Sequence, residues 1–144
     1  MSQHYLEWLE NYIKETYKTP ILENFLGLEA VKIDDGKIIF KTKIIDKQCN
    51  MYGFIHGGTL ASLSDIAMGM ACITQGKRVV TIDMNISYIK NAPAGSTVTA
   101  VGSVISSGRT IMRSSGEIYD ENNQLLVKSQ ASYFVTGEFK ETEE

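Results

Sequence analysis

Three features of the 144-residue sequence predict an α+β fold in which one antiparallel sheet curls around a central helix, with a second helix at the N-terminus. The stretch from Thr59 to Ile73 is long enough for four helical turns and is apolar around nearly its whole circumference. On either side of it lie short runs of β-branched or alternating residues separated by turn signals. Between Lys47 and Lys77 the only formally charged side chain is Asp65, so this helix has no solvated face and must be covered.

The N-terminal helix is expected over residues 2–17. Ser2 can cap it, and Leu6, Leu9 and Ile13, joined by Tyr5, Trp8 and Tyr12, make its apolar face. Thr19-Pro20 ends it, and residues 25–28 lead into the sheet through Gly27. Residues 29–45 form a hairpin around the Asp34-Asp35-Gly36 turn. The two aspartates have no His, Cys or further carboxylate at ligand spacing, so no metal is assigned to them.

After the central helix, Gln75-Gly76-Lys77 supplies a stop with a glycine for the left-handed position. The next run, 79–89, alternates. Val80, Ile82, Met84, Ile86 and Tyr88 form the apolar face, with Thr81, Asp83, Asn85 and Ser87 opposite. Residues 91–95 are a turn, and strands at 96–106, 110–119 and 124–135 complete a meander. One domain is expected over residues 1–144, with the N-terminal helix in 1–20, the core in about 27–136 and a frayed acidic tail over 137–144.

A net charge of −3 offers no basic field for nucleic acid. Two cysteines, Cys49 and Cys72, do not make a disulfide framework. No leader pattern opens the chain and the central helix is too short and too rich in Gly, Ser and Thr for a membrane span, so a soluble cytoplasmic protein is expected.

Asp65 is the residue most in need of an explanation, because a carboxylate in an apolar helix is costly unless it is paired, hydrogen-bonded or protonated. At the helix start stand His56, Gly57 and Gly58. The first helical turn leaves backbone N–H groups without partners, and glycines let another molecule approach them. A substrate oxyanion can dock there. Eight residues separate Gly57 from Asp65, about 12 Å of helical rise, and the two point to different sides of the helix. One substrate carbonyl cannot meet both in one chain. If both act on it, one of them comes from a second subunit across a two-fold axis.

Asn50-x-x-Gly53-x-x-His56-Gly57-Gly58 followed by Asp65 resembles the hotdog-fold acyl-CoA thioesterases of the phenylacetate-degradation type, over about residues 27–135. The resemblance implies a hotdog fold, a dimer or dimer of dimers (a homotetramer), and hydrolysis of an acyl-CoA thioester with no cofactor, coenzyme A being part of the substrate. Asp65 then serves as nucleophile or general base and the Gly57 N–H as oxyanion donor. Asn50 and His56 match residues that hold the thioester or its attacking water. Thr81 matches a hydroxyl residue in the strand after the helix, although alternation puts it on the face away from that helix unless the strand is bulged there. Gly58, the Tyr88-Ile89-Lys90-Asn91 strand end and the Ser107-Gly108-Arg109-Thr110 turn match places where the family grips coenzyme A.

Each residue also has a plainer role open to it. Asn50 can be a turn residue bonded to its own backbone, His56 can satisfy its own loop, and Asp65 can be a structural group held by Ser62, Ser64 or a partner chain. Cys49 with His56 as base is a second enzymatic possibility, and a non-catalytic acyl-CoA-binding sensor is a third. Phe54, Ile55, Met68 and Met70 are available for an aryl, medium or longer acyl group, and the sequence does not choose among them.

Overall fold

The computed structural model describes residues 1–141. Helix α1 (Gln3–Thr16) and a short α2 (Leu22–Phe25) precede strands β1 (Glu29–Asp34) and β2 (Lys37–Lys43). A single 3-10 turn at Asp46–Gln48 leads to the central helix α3 (Gly57–Ile73). Strands β3 (Lys77–Tyr88), β4 (Thr97–Ser107), β5 (Ile111–Tyr119) and β6 (Leu125–Glu138) follow. The six strands form one antiparallel sheet in the order β1-β2-β4-β5-β6-β3. The β4-β5-β6 meander lies in its middle, and β3 crosses to its far edge. The sheet wraps around α3, as the all-apolar helix requires and as the hotdog resemblance implies.

The covering is close. Leu60, Leu63, Ala67, Met68, Ala71 and Cys72 of α3 are buried against the inward side chains of the sheet, among them Phe40, Val98, Met112, Ile118 and Tyr133. At Gly102 the backbone of β4 comes so near the helix that an added Cβ would stand 2.0 Å from the Ala67 carbonyl oxygen. A strand glycine is ordinarily a weakness, but here it is what lets helix and sheet meet.

Helix α1 is capped as expected, with the Tyr5 N–H donating to Ser2 Oγ at 3.1 Å. Tyr5, Leu9 and Ile13 are buried, whereas Tyr12 sits at the rim. The Tyr5 hydroxyl donates to the carbonyls of Ile73 and Phe139, tying α1 to the end of α3 and the end of β6, and burial pushes its pKa up to about 12.

Two expectations are corrected by this framework. The tail does not fray at residue 137. Strand β6 runs to Glu138, and Phe139 packs against the Trp8 and Tyr12 rings while its N–H donates to the Gly76 carbonyl. An aromatic among acidic residues is enough to dock that segment; residues 142–144 lie outside the described residues. Helix α2 and the 3-10 turn were not foreseen, because elements of four and three residues carry no periodicity to detect.

The third correction concerns the face that β3 turns to the helix. Its pairing with β6 shifts between Thr81 and Asp83, which leaves Ile82 as an extra residue. Upstream of it Val79 and Thr81 face α3; downstream Met84, Ile86 and Tyr88 do. Val80 and Ile82, expected inside, are exposed.

Candidate active site

The bulge is what brings Thr81 to Asp65. Thr81 donates its hydroxyl to Asp65 Oδ1 at 2.8 Å, and the Tyr133 hydroxyl shares its one proton between that oxygen and the Asp65 backbone carbonyl, each at 2.9 Å. Thr81 and Tyr133 are directly opposite each other on β3 and β6, so both hydroxyls converge on α3 from adjacent strands. Ser62 and Ser64, considered as holders of Asp65, bond instead to the carbonyls of their own helix at Gly58 and Leu60. Burial, and then the Asp65 carboxylate, push the Tyr133 phenol well above its ordinary range, so it stays a donor at any working pH. Two donors on Oδ1 leave Oδ2 without a partner among the described residues, and Asp65 itself lines a groove of about 180 Å³. The groove is walled by Ile66, Gly69, Met70, Ile73 and Val79 and edged by Glu23 of α2. Asp65 is thus half-buried, on the one face of α3 that the sheet leaves open.

The helix start makes a second, separate hollow, lined by Gly57, Leu60, Tyr88, Ile89, Lys90 and Asn91. His56 caps the helix, its Nδ1 accepting the Gly58 N–H at 2.9 Å. In the neutral ring such a bond selects the tautomer with its proton on Nε2. The Gly57 N–H has no partner among the described residues. Tyr88 donates to the Gly57 carbonyl at 2.9 Å and shields the glycine from one side. Asn50 takes the role of a turn residue. Its Oδ1 accepts from the N–H groups of Tyr52 and Phe54 at 3.0 and 3.1 Å, which leaves its amide NH2 as the group it can offer.

Residues matched to coenzyme A fall at opposite ends of the sheet. Lys90 bonds to Gln124 beside the Gly57 hollow. The turn Ser107-Gly108-Arg109-Thr110 lies at the other end, where the Thr110 carbonyl accepts from Val135, the residue paired with Val79 in the Asp65 groove. Its Gly108 N–H is taken by Ile111 and its Arg109 is exposed. The structure thus joins Asp65 to Thr81 and Tyr133, and separately gathers Gly57, Tyr88 and Lys90 around the hollow at the helix start, where His56 bonds to Gly58; Asn50 and the 107–110 turn line neither hollow.

Sequence reasoning missed Tyr133 and Glu23. Tyr133 sat at an inward position of a strand that alternates correctly, but nothing local shows which strand pairs with β3. Of the residues offered for the acyl group, Ile55 and Met68 are buried in the core and only Met70 lines the groove. The thiol of Cys49 is pushed up by burial and by Asp46, and His56 Nδ1 is already engaged, so this pair is not an activated nucleophile.

The model of the thioesterase superfamily matches residues 52–127. Acyl-coenzyme A thioesterase 13 of Homo sapiens is 30% identical over 122 residues, covering 83% of this chain and 87% of its own. A protein of Streptococcus mutans UA159, solved bound to acetyl CoA, is 31% identical, with a TM-score of 0.79 over 85% of this chain and 97% of that one. The Escherichia coli PaaI protein of the phenylacetic acid degradation operon superposes with a TM-score of 0.83 over 92% of this chain and 94% of its own; at 23% identity it speaks for the hotdog fold.

Proposed function

The chain belongs to the thioesterase superfamily, whose members hydrolyse thioesters, and from that premise we propose that it cleaves acyl-CoA to a free acid and coenzyme A with Asp65 as nucleophile or general base. The observation that carries this is the carboxylate itself. One oxygen is fixed by Thr81 and Tyr133, the other has no partner among the described residues, and the residue lines a largely apolar groove. Such a group is oriented and keeps one oxygen free, which suits attack on a carbonyl carbon or removal of a proton from water. In the first case Oδ2 bonds to the carbonyl carbon, the C–S bond breaks with its electron pair leaving on sulfur, and water then splits the mixed anhydride. In the second, Oδ2 takes the proton of the water whose oxygen bonds to the carbonyl carbon, and the C–S bond then breaks with its electron pair leaving on sulfur. Both routes put negative charge on the carbonyl oxygen, for which the Gly57 N–H at the positive end of α3 is the donor.

Asp65 and Gly57 are about 12 Å apart along α3 and open into different hollows, so the working site combines the Asp65 half of one protomer with the Gly57 half of another. The same pairing brings the 107–110 turn of one copy toward Lys90 of the other, which reunites the two coenzyme A segments. Sedimentation at assay concentration should show a dimer or a dimer of dimers. An active protomer-sized species would end the shared-site proposal.

A hydrolysis panel of aryl and straight-chain acyl-CoA esters, followed by thiol release, tests the activity; no release above the uncatalysed rate on any ester would sink it. Arg109→Ala should raise KM for acyl-CoA more than it lowers kcat, because a charge remote from the carbonyl contributes mostly uniform binding. An acyl thioester without the nucleotide should be nearly indifferent to the change, and equal effects on both substrates would remove Arg109 from the nucleotide site. Tyr133→Phe keeps the ring in the core and deletes one donor to Asp65. A drop in kcat of about tenfold is expected at little change in KM, consistent with losing a hydrogen bond to a charged group. Unchanged kcat would make Tyr133 a packing residue only.

A further inference from the structure

The short helix α2 is arranged the wrong way round for a surface helix. The chain there reads Ile21-Leu22-Glu23-Asn24-Phe25, and it is Leu22 and Phe25 that stand exposed while Glu23 is half-buried. Acidic side chains ordinarily take the solvent side and apolar ones the inner side. What Glu23 turns to is the Asp65 groove, to which α3 gives Ile66, Met70 and Ile73 and β3 gives Val79 and Thr81.

No positive charge offsets this placement. No Lys, Arg or His lines the groove, and the Glu23 carboxylate has no ion pair among the described residues. The Tyr17 hydroxyl is buried and also without a hydrogen-bond partner among the described residues. Burial, and then the Glu23 carboxylate, push that phenol well above its ordinary range, so it stays neutral and cancels nothing. Two carboxylates, Asp65 and Glu23, therefore line one largely apolar groove with no cation among its residues.

Thioester hydrolysis changes the charge of what the groove holds. The acyl group arrives uncharged. Water exchanges the C–S bond for a C–O bond; one of its protons ends on sulfur and the other in solvent, so the acid is left as a carboxylate at neutral pH. The Gly57 N–H that stabilises the oxyanion also attracts this anionic product. Asp65 is committed to the chemistry, whereas Glu23 is placed to oppose the product without taking part in it.

We propose that Glu23 is a charge filter on the acyl groove: it expels the acid product and turns away acyl groups that end in a second carboxylate, while uncharged acyl thioesters pass. The proposal rests on the hydrolase function above and deepens it by naming the residue that sets the charge class of the substrate.

Glu23→Gln removes the charge at nearly constant shape, and Glu23→Asp keeps it. Calorimetry on the full oligomer, saturated with coenzyme A, should show hexanoate binding Glu23→Gln about fivefold more tightly than the natural protein, the order expected of one like charge a few ångströms away in a wet site. Hexanamide, of the same length and uncharged, should bind both alike, and Glu23→Asp should bind hexanoate as the natural protein does. The hexanoate contrast should narrow as salt is added. Turnover gives a second reading. The ratio of kcat/KM for adipoyl-CoA to that for hexanoyl-CoA, six-carbon esters that differ by the terminal carboxylate, should rise about fivefold in Glu23→Gln and stay put in Glu23→Asp.

Equal hexanoate affinity in the natural protein and Glu23→Gln would overturn the proposal, as would an unchanged ester ratio. A hexanamide shift as large as that of hexanoate would overturn it too, by showing that packing and not charge had changed. The binding measurement needs no turnover. A natural protein that hydrolyses no ester yet keeps the hexanoate contrast would lose its proposed reaction and retain the repulsion by Glu23; thiol release without the contrast would do the reverse.

Discussion

Asp65→Asn should lower kcat by at least about a hundredfold, the lower end of what removing an acid–base group costs. The amide keeps the shape of the carboxylate and can still accept from Thr81 and Tyr133, so the orientation seen in the structure survives while the base and nucleophile are lost. Acyl-CoA should still bind. The melting temperature should hold or rise slightly, because a half-buried charge among Ile66, Met70 and Val79 has been neutralised. A purely structural Asp65 would behave in the opposite way, with activity falling only as far as the protein unfolds. Thiol release and thermal unfolding measured on one preparation separate the two. A stable, assembled variant with near-normal turnover would refute the assignment.

Gly102→Ala should be the most damaging single-methyl change in the core. The new Cβ would overlap the Ala67 carbonyl oxygen and carbon, at 2.0 and 2.3 Å, and stand 2.8 Å from the Met68 nitrogen. These are backbone atoms inside a helix, so no rotamer change relieves the overlap; α3 or β4 must move. Overpacking of this kind costs about 3 kcal/mol, at the upper end of its usual range. Denaturant unfolding should show the midpoint falling at an unchanged slope. Gly137→Ala is the contrast. Its Cβ would meet only the Arg78 guanidinium at 3.5 Å, an ordinary contact, and little change is expected. If Gly102→Ala were as mild as Gly137→Ala, the close seat of the helix would be wrong.

Those two residues also show what the sequence could and could not disclose. Asp65 was conspicuous because burial and charge are properties of a residue and its near neighbours, and a lone carboxylate in an apolar helix violates the pattern on sight. The overall architecture was legible for the same reason, since periodicities of 3.6 and 2 report which faces must be covered. Gly102 carried no such mark. Its importance lies in which helix crosses it, and that depends on strand order. Thr81 is intermediate. The family pattern pointed to it and strict alternation pointed away, and both were sound. The strand holds one residue more than its partner, and a bulge can be seen only when the partner is known. Tyr133 needed two such facts together, the β3–β6 pairing and the shift at Ile82. Asn50 was legible in both its roles at once, and the structure shows its carbonyl side committed to the loop.

Strand β3 lies at the edge of the sheet, twelve residues long, with Val80 and Ile82 facing outward beside it. An edge of that length is an open template for another strand. If a second copy supplies what completes the carboxylate's site, protein concentration becomes a kinetic variable. Turnover per protomer would follow a saturation curve in total protein rather than a constant, and an enzyme diluted to trace levels would lose activity with the time course of dissociation. Rates compared between laboratories, or between variants purified to different yields, would then differ through assembly alone.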